Sequence, residues 1–120
     1  MGRFDYLKGF DCISLESTRK DNTPVQTTVW FVVLNDKLYV TTKSGTGKVK
    51  RIQHTSAVRF MPCTSKGISK GEWDSGNAIF VTGAIVDKII SLRKKKYGFR
   101  ARLAGMMSSF KGETIVIVIT

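Results

Sequence analysis

Between Leu38 and Arg51 the chain sets out β-prone residues, then small residues, then cations. That order suits the capture of an anion. Leu38-Tyr39-Val40-Thr41-Thr42 reads as a strand, Gly45-Thr46-Gly47 breaks it, and the spacing of Val49, Ile52 and Gln53 predicts a short helix over residues 48–54 with Thr46 as N-cap. The first turn of a helix presents backbone N–H groups without intrahelical partners and a partial positive charge, so it attracts an anion. Thr42, Ser44 and Thr46 add hydroxyl groups, and Lys48, Lys50 and Arg51 add full charges. A phosphate fits this chemistry. A basic helix face that touches only water is the competing reading. A P-loop does not fit, because the motif needs glycine at position 42 and Ser or Thr at position 49, where this chain has Thr42 and Val49.

The charge balance supports an anionic partner without naming it. Twenty basic residues against nine acidic ones leave a net charge of +11. The excess is concentrated in residues 43–70, with seven basic residues and no acid, and in residues 88–111, with eight and no acid. Nucleic acid, an anionic membrane surface and a small anionic ligand would all respond to such a field. Metal chemistry is disfavoured, since Cys12, Cys63 and the single His54 offer no ligand spacing. No Ser/His/Asp set, Cys/His set or carboxylate pair can be assembled, so no catalytic residue is assigned. The first residues do not read as a secretory signal, and the apolar runs at residues 29–34 and 115–119 are far shorter than a membrane span. The expectation is a soluble cytoplasmic protein.

The elements that would position the anion site are mostly strands. At 120 residues the chain is expected to form a single domain over 1–120, burying roughly two-thirds of its unfolded surface. Strands are predicted over residues 10–16, 25–34, 37–42, 57–63, 77–87 and 114–120. Asn35-Asp36 makes a two-residue hairpin turn, and Gly83 reads as a bulge within the fifth strand. A longer helix is predicted over residues 88–108, with Ile89, Leu92, Leu103 and Met107 toward the core and a break at Gly98. The fold class is therefore mainly β with helices: a six-stranded antiparallel split β-barrel, with a short helix after strand 3 and a longer one before the last strand. Closing short antiparallel strands into a barrel removes exposed edges.

Particular runs carry a resemblance. Residues 18–32, residues 38–41, Gly47-Lys48-Val49-Lys50-Arg51-Ile52 and Met61-Pro62-Cys63 closely resemble the flavin-binding split-barrel proteins related to pyridoxamine 5′-phosphate oxidase. Together with Lys96-Tyr97-Gly98 they are similar to the deazaflavin-dependent oxidoreductase branch of that group. The resemblance implies an oxidoreductase that is a homodimer, with FMN or the deazaflavin coenzyme F-420 in a groove between subunits. Matched residue by residue, it sets Lys48 on the cofactor phosphate and Thr46 beside it. It also lays the strand of Thr28, Val29 and Trp30 along the flavin ring. Gly47, Thr42, Lys50 and Arg51 complete the implied cofactor-binding set. Thr27 stands where the oxidases carry a phosphate-binding arginine. That departure favours coenzyme F-420, with Lys50 or Arg51 as the extra grip by which FMN could still be held.

The implied partners are a second copy of the chain and a small-molecule redox substrate, with no nucleic acid and no membrane. A cofactor-binding carrier or sensor without turnover is the first alternative. A nucleic-acid-binding small barrel is the second, and it is weakened because the cations near Lys48 are not interleaved with stacking aromatics.

Overall fold

The computed structural model describes residues 2–64, 68–98 and 114–120. Six strands, β1 (Cys12–Thr18), β2 (Pro24–Leu34), β3 (Lys37–Lys43), β4 (Ala57–Cys63), β5 (Asp74–Val81) and β6 (Thr114–Ile119), close into a barrel in the order β1-β2-β3-β6-β5-β4. Every neighbouring pair is antiparallel. Helix α1 (Gly47–His54) follows β3, and α2 (Ala84–Tyr97) follows β5. The mainly β class, the six strands and the placement of both helices agree with the sequence reading.

Strand alternation sorts the side chains. Ile13, Leu15, Val29, Phe31, Leu38, Val40, Val58, Phe60, Ile117 and Ile119 fill the interior, joined by Ile52 of α1 and by Phe4 and Leu7 from a short 3-10 turn at Asp5–Leu7. On the outer face, Val32, Tyr39, Val116 and Val118 form a second cluster that receives Ile89 of α2. The β2–β3 hairpin turns on Asn35 and Asp36, both at positive φ (49° and 63°), as a type I′ turn requires.

The fifth strand begins at Asp74, three residues before the predicted start, and the boundaries after it differ further. The fifth strand ends at Val81, not 87, and α2 begins at Ala84, not 88. The reason is Gly83. Its φ of +90° turns the chain out of the sheet and makes it the N-cap of α2, where a bulge was expected. The β-branched residues Ile85 and Val86 read as strand, yet they pack against the outer cluster as the first turn of the helix. α2 ends at Tyr97 with Gly98 (φ +51°) as its C-cap, at the expected break, and the predicted continuation to residue 108 lies outside the described residues. Leu103 and Met107 lie outside the described residues.

The barrel is split between β2 and β3. β2 pairs with β3 only over Phe31–Leu34; from Pro24 to Trp30 it pairs with β1 alone. β3 likewise pairs with β6 over its length, so Thr41–Lys43 has no strand partner on the β2 side. α1 leaves β3 at this opening and packs on β1 and β3.

Candidate functional site

The opening gathers most of the residues singled out for phosphate. Thr42 and Thr46 are buried, with their hydroxyl oxygens 3.2 Å apart. Thr46 holds the N-cap position, but its side chain does not cap the helix; the hydroxyl donates to the Lys43 carbonyl at 3.0 Å. The first turn of α1 therefore keeps its N–H groups free of a side-chain cap and contains no acidic residue. Lys43 is turned away, donating to the Thr114 hydroxyl at 3.0 Å.

Lys48 is half-buried in this opening and makes no ion pair among the described residues. Burial, and after it the charge of Arg51, hold its ammonium below the usual lysine range. Arg51 folds back over the first turn of its own helix. A Cβ at Gly47 would come within 2.7 Å of a terminal guanidinium nitrogen, so only glycine leaves that nitrogen its place. The Nε of Arg51 donates to the Ser17 hydroxyl at 2.6 Å. Burial, then the nearby charge of Arg19, lower its pKa as well. Unpaired cations held at a cost in desolvation are what an anion would relieve.

Thr27 contributes a group that sequence reasoning passed over. Its hydroxyl oxygen is buried with no hydrogen-bond partner. In the β1–β2 ladder Thr27 faces Leu15, which makes it a diagonal neighbour of Ser17 on the interior side. The orphaned hydroxyl is thus a ladder neighbour of Ser17, the residue that Arg51 binds. Lys50 is exposed on the solvent side of α1 and stands apart from this group.

The second predicted set, Thr28, Val29 and Trp30, lines the β2 side of the same opening. Val29 is buried in the interior, while Thr28 and Trp30 point outward. The Trp30 ring is engaged by α2: Tyr97 stacks on it at 4.2 Å and 7° between planes, and the Arg93 guanidinium lies 5.1 Å from its centroid. Lys96 donates to the Phe31 carbonyl at 3.0 Å and sits 3.4 Å from the Phe31 ring centroid. Burial of that ammonium lowers its pKa to about 8. The sequence reading assigns none of the α2 residues that meet Trp30 and Phe31 here to the cofactor. Uniform charge over residues 93–96 hides, in the sequence, which of these side chains turn toward β2.

His54 is exposed at the end of α1. The described residues hold no group of three or more His, Cys, Asp or Glu that could bind a metal, and no helix among them is long and apolar enough to cross a membrane. A cleft of about 580 Å³ on the outside of β1, β4 and β5 was not anticipated. It is lined by Arg59, Asn77 and the buried Glu16, which Arg59 binds through two nitrogens at 2.9 and 3.0 Å.

Known structures share this architecture. A Listeria innocua protein assigned as a pyridoxamine 5′-phosphate oxidase is 17% identical and superposes with a TM-score of 0.67 over 95% of this chain and 86% of its own. This is the pyridoxamine 5′-phosphate oxidase-like split-barrel fold. The same split barrel is found in the heme storage protein HutZ of Vibrio cholerae, 10% identical with a TM-score of 0.74 over 97% of this chain and 84% of that one. It is found too in a Bacteroides thetaiotaomicron protein assigned to 5-nitroimidazole antibiotic resistance, 14% identical with a TM-score of 0.68 over 98% and 76%. No family model and no curated protein matches the sequence. The split barrel thus serves proteins described by different ligands, and the ligand of this one must be argued from its own residues.

Proposed function

We propose that this split barrel binds a phosphate-bearing flavin or deazaflavin, FMN or coenzyme F-420, in a groove shared with a second copy of the chain. We further propose that it uses the cofactor as an oxidoreductase on a small-molecule substrate. One observation carries the reading. Lys48 and Arg51, cations without ion pairs among the described residues, stand at an uncapped helix start, and Arg51 binds Ser17, a ladder neighbour of Thr27 with its orphaned hydroxyl.

These residues suit a phosphate in distinct ways. Lys48 supplies a point charge, the α1 N–H groups supply aligned donors, and the Thr42–Thr46 hydroxyl pair fixes the turn that presents them. Arg51 supplies from the helix the planar donor that the related oxidases draw from β2. The unpaired β2 edge at Thr28–Trp30 offers backbone groups to a planar ring, and the Tyr97 stack holds Trp30 in one place. When bound, the ring system carries the hydride. The chain's residues bind and orient it, and none is assigned a proton-transfer role.

The test is a titration of the purified protein with FMN and with the deazaflavin, followed by absorbance and fluorescence. Micromolar binding of either is expected, and Lys48→Ala should weaken it by about 1.5–3 kcal/mol, roughly 10- to 150-fold. Salt-sensitive oligonucleotide binding with neither cofactor retained would overturn the reading. Turnover with the reduced cofactor and a panel of acceptors separates an enzyme from a carrier or sensor.

A further inference from the structure

β1 begins and β4 ends at a cysteine, and the two residues face each other. Cys12 is the register partner of Cys63 in the antiparallel β1–β4 ladder. Ile13 and Phe60 point into the barrel, so strand alternation sets both cysteines on the outer side of the sheet. Facing residues of such a ladder stand about 4.5–5.5 Å apart at Cα, inside the roughly 4.4–6.8 Å range that a disulfide spans. The sulfurs are not joined, and both residues are buried, at 1% and 0% exposure. Burial, and after it the nearness of Cys12, raise the Cys63 thiol pKa, against a smaller lowering by a hydrogen bond with Thr28.

The pair lies at a sensitive corner. Trp30, Cys12 and Cys63 form one row across β2, β1 and β4. The ring of Trp30 is stacked on Tyr97, whose hydroxyl bonds the carbonyl of Asp11, the residue before Cys12.

We propose that Cys12 and Cys63 are a redox-active dithiol that closes to an intrachain, cross-strand disulfide on meeting a hydroperoxide, tying the start of β1 to the end of β4. In the first step one sulfur, having lost its proton, takes the terminal oxygen of the hydroperoxide. The O–O bond breaks, the sulfur becomes a sulfenic acid, and the departing alkoxide takes up the proton as an alcohol, or as water from hydrogen peroxide. In the second step the other sulfur displaces the sulfenic oxygen, which leaves as hydroxide and takes up the proton of the attacking thiol to form water. Two thiols and one hydroperoxide thus give one disulfide, one alcohol and one water, with both electrons passing from sulfur to the peroxide. The step needs no cofactor, so it stands or falls independently of flavin binding.

The experiment uses the reduced full chain and hydrogen peroxide, stopped by unfolding in the presence of an alkylating agent. The expected result is loss of both alkylatable thiols and an intact mass lower by two hydrogens. A proteolytic fragment should join Cys12 to Cys63, on a band that runs as a single chain without reductant, and dithiothreitol should restore both thiols. Retention of two alkylatable thiols, oxygen added to sulfur without cross-linking, or cross-links between chains that persist in Cys12→Ser would each overturn it.

Discussion

The hydroxyl of Tyr97 meets the backbone of Phe31 at the residue where β2 changes partners. Trp30 is the last β2 residue paired with β1, across from Cys12, and Phe31 is the first paired with β3, across from Val40. Tyr97 accepts from the Phe31 N–H at 3.0 Å and donates to the Asp11 carbonyl at 2.6 Å, while its ring covers Trp30. A strand that leaves one ladder for another opens a gap in backbone pairing, and buried N–H and C=O groups there need partners. The last turn of α2 supplies one from 66 residues along the chain.

Tyr97→Phe keeps the ring and removes that partner. It should lower the unfolding free energy by about 1–3 kcal/mol, the cost of leaving buried backbone groups unpaired. Urea denaturation followed by tryptophan fluorescence measures it. A loss of only a few tenths would mean that the hydroxyl does not hold the junction.

Lys96 gives a pH signature. Its pKa in the folded protein is lowered from 10.5 to about 8, so between those values the unfolded chain binds more protons than the folded one. Stability then rises with pH across that window, and the penalty is present in full below about 8. Lys96→Met should raise stability at neutral pH and flatten the rise, read as the urea midpoint of each protein at matched pH. Parallel curves for the two proteins would refute the assignment. The ammonium is partly exposed, so the effect should be smaller than for a fully buried lysine.

The legible part of this molecule is what depends on short-range pattern. Alternation and turn chemistry located five strands within two residues at their starts, and Asn35-Asp36 fixed the hairpin. The strand-turn-helix at Thr42–Arg51 was readable because small residues and cations follow a β-prone run. Gly83 was misread because a glycine between β-branched residues serves equally as bulge or helix start, and only packing on the outer cluster decides. The partners of Tyr97, the orphaned Thr27 hydroxyl and the Cys12–Cys63 pairing were not readable. Each joins residues brought together by register or by closure of the barrel, which no local period records.

Gly47 tests whether the fold-back of Arg51 matters. A methyl group there meets the flexible end of a side chain and not backbone, so the protein should tolerate it. Alanine at an exposed helix position can even stabilise by up to about 1 kcal/mol. The displaced guanidinium should nonetheless weaken FMN or deazaflavin binding severalfold. Gly47→Ala with stability kept and affinity unchanged would remove Arg51 from the site.

Thr27→Val separates folding from binding most directly. The substitution replaces the buried hydroxyl with a methyl group of similar shape and keeps the β-branched side chain that a strand favours. An unpaired buried hydroxyl costs about 1–3 kcal/mol, so the variant should unfold at higher urea concentration than the parent when no ligand is present. With FMN or the deazaflavin added, the order should narrow or reverse, because ligand stabilisation scales with affinity and the valine offers the phosphate nothing. A gain in stability that stays constant at every cofactor concentration would show the hydroxyl to be a packing defect outside the site. Loss of stability in the absence of ligand would mean that the hydroxyl has a partner in solution. Only curves that converge or cross as cofactor is added fit a polar group held without a partner for the sake of a bound anion.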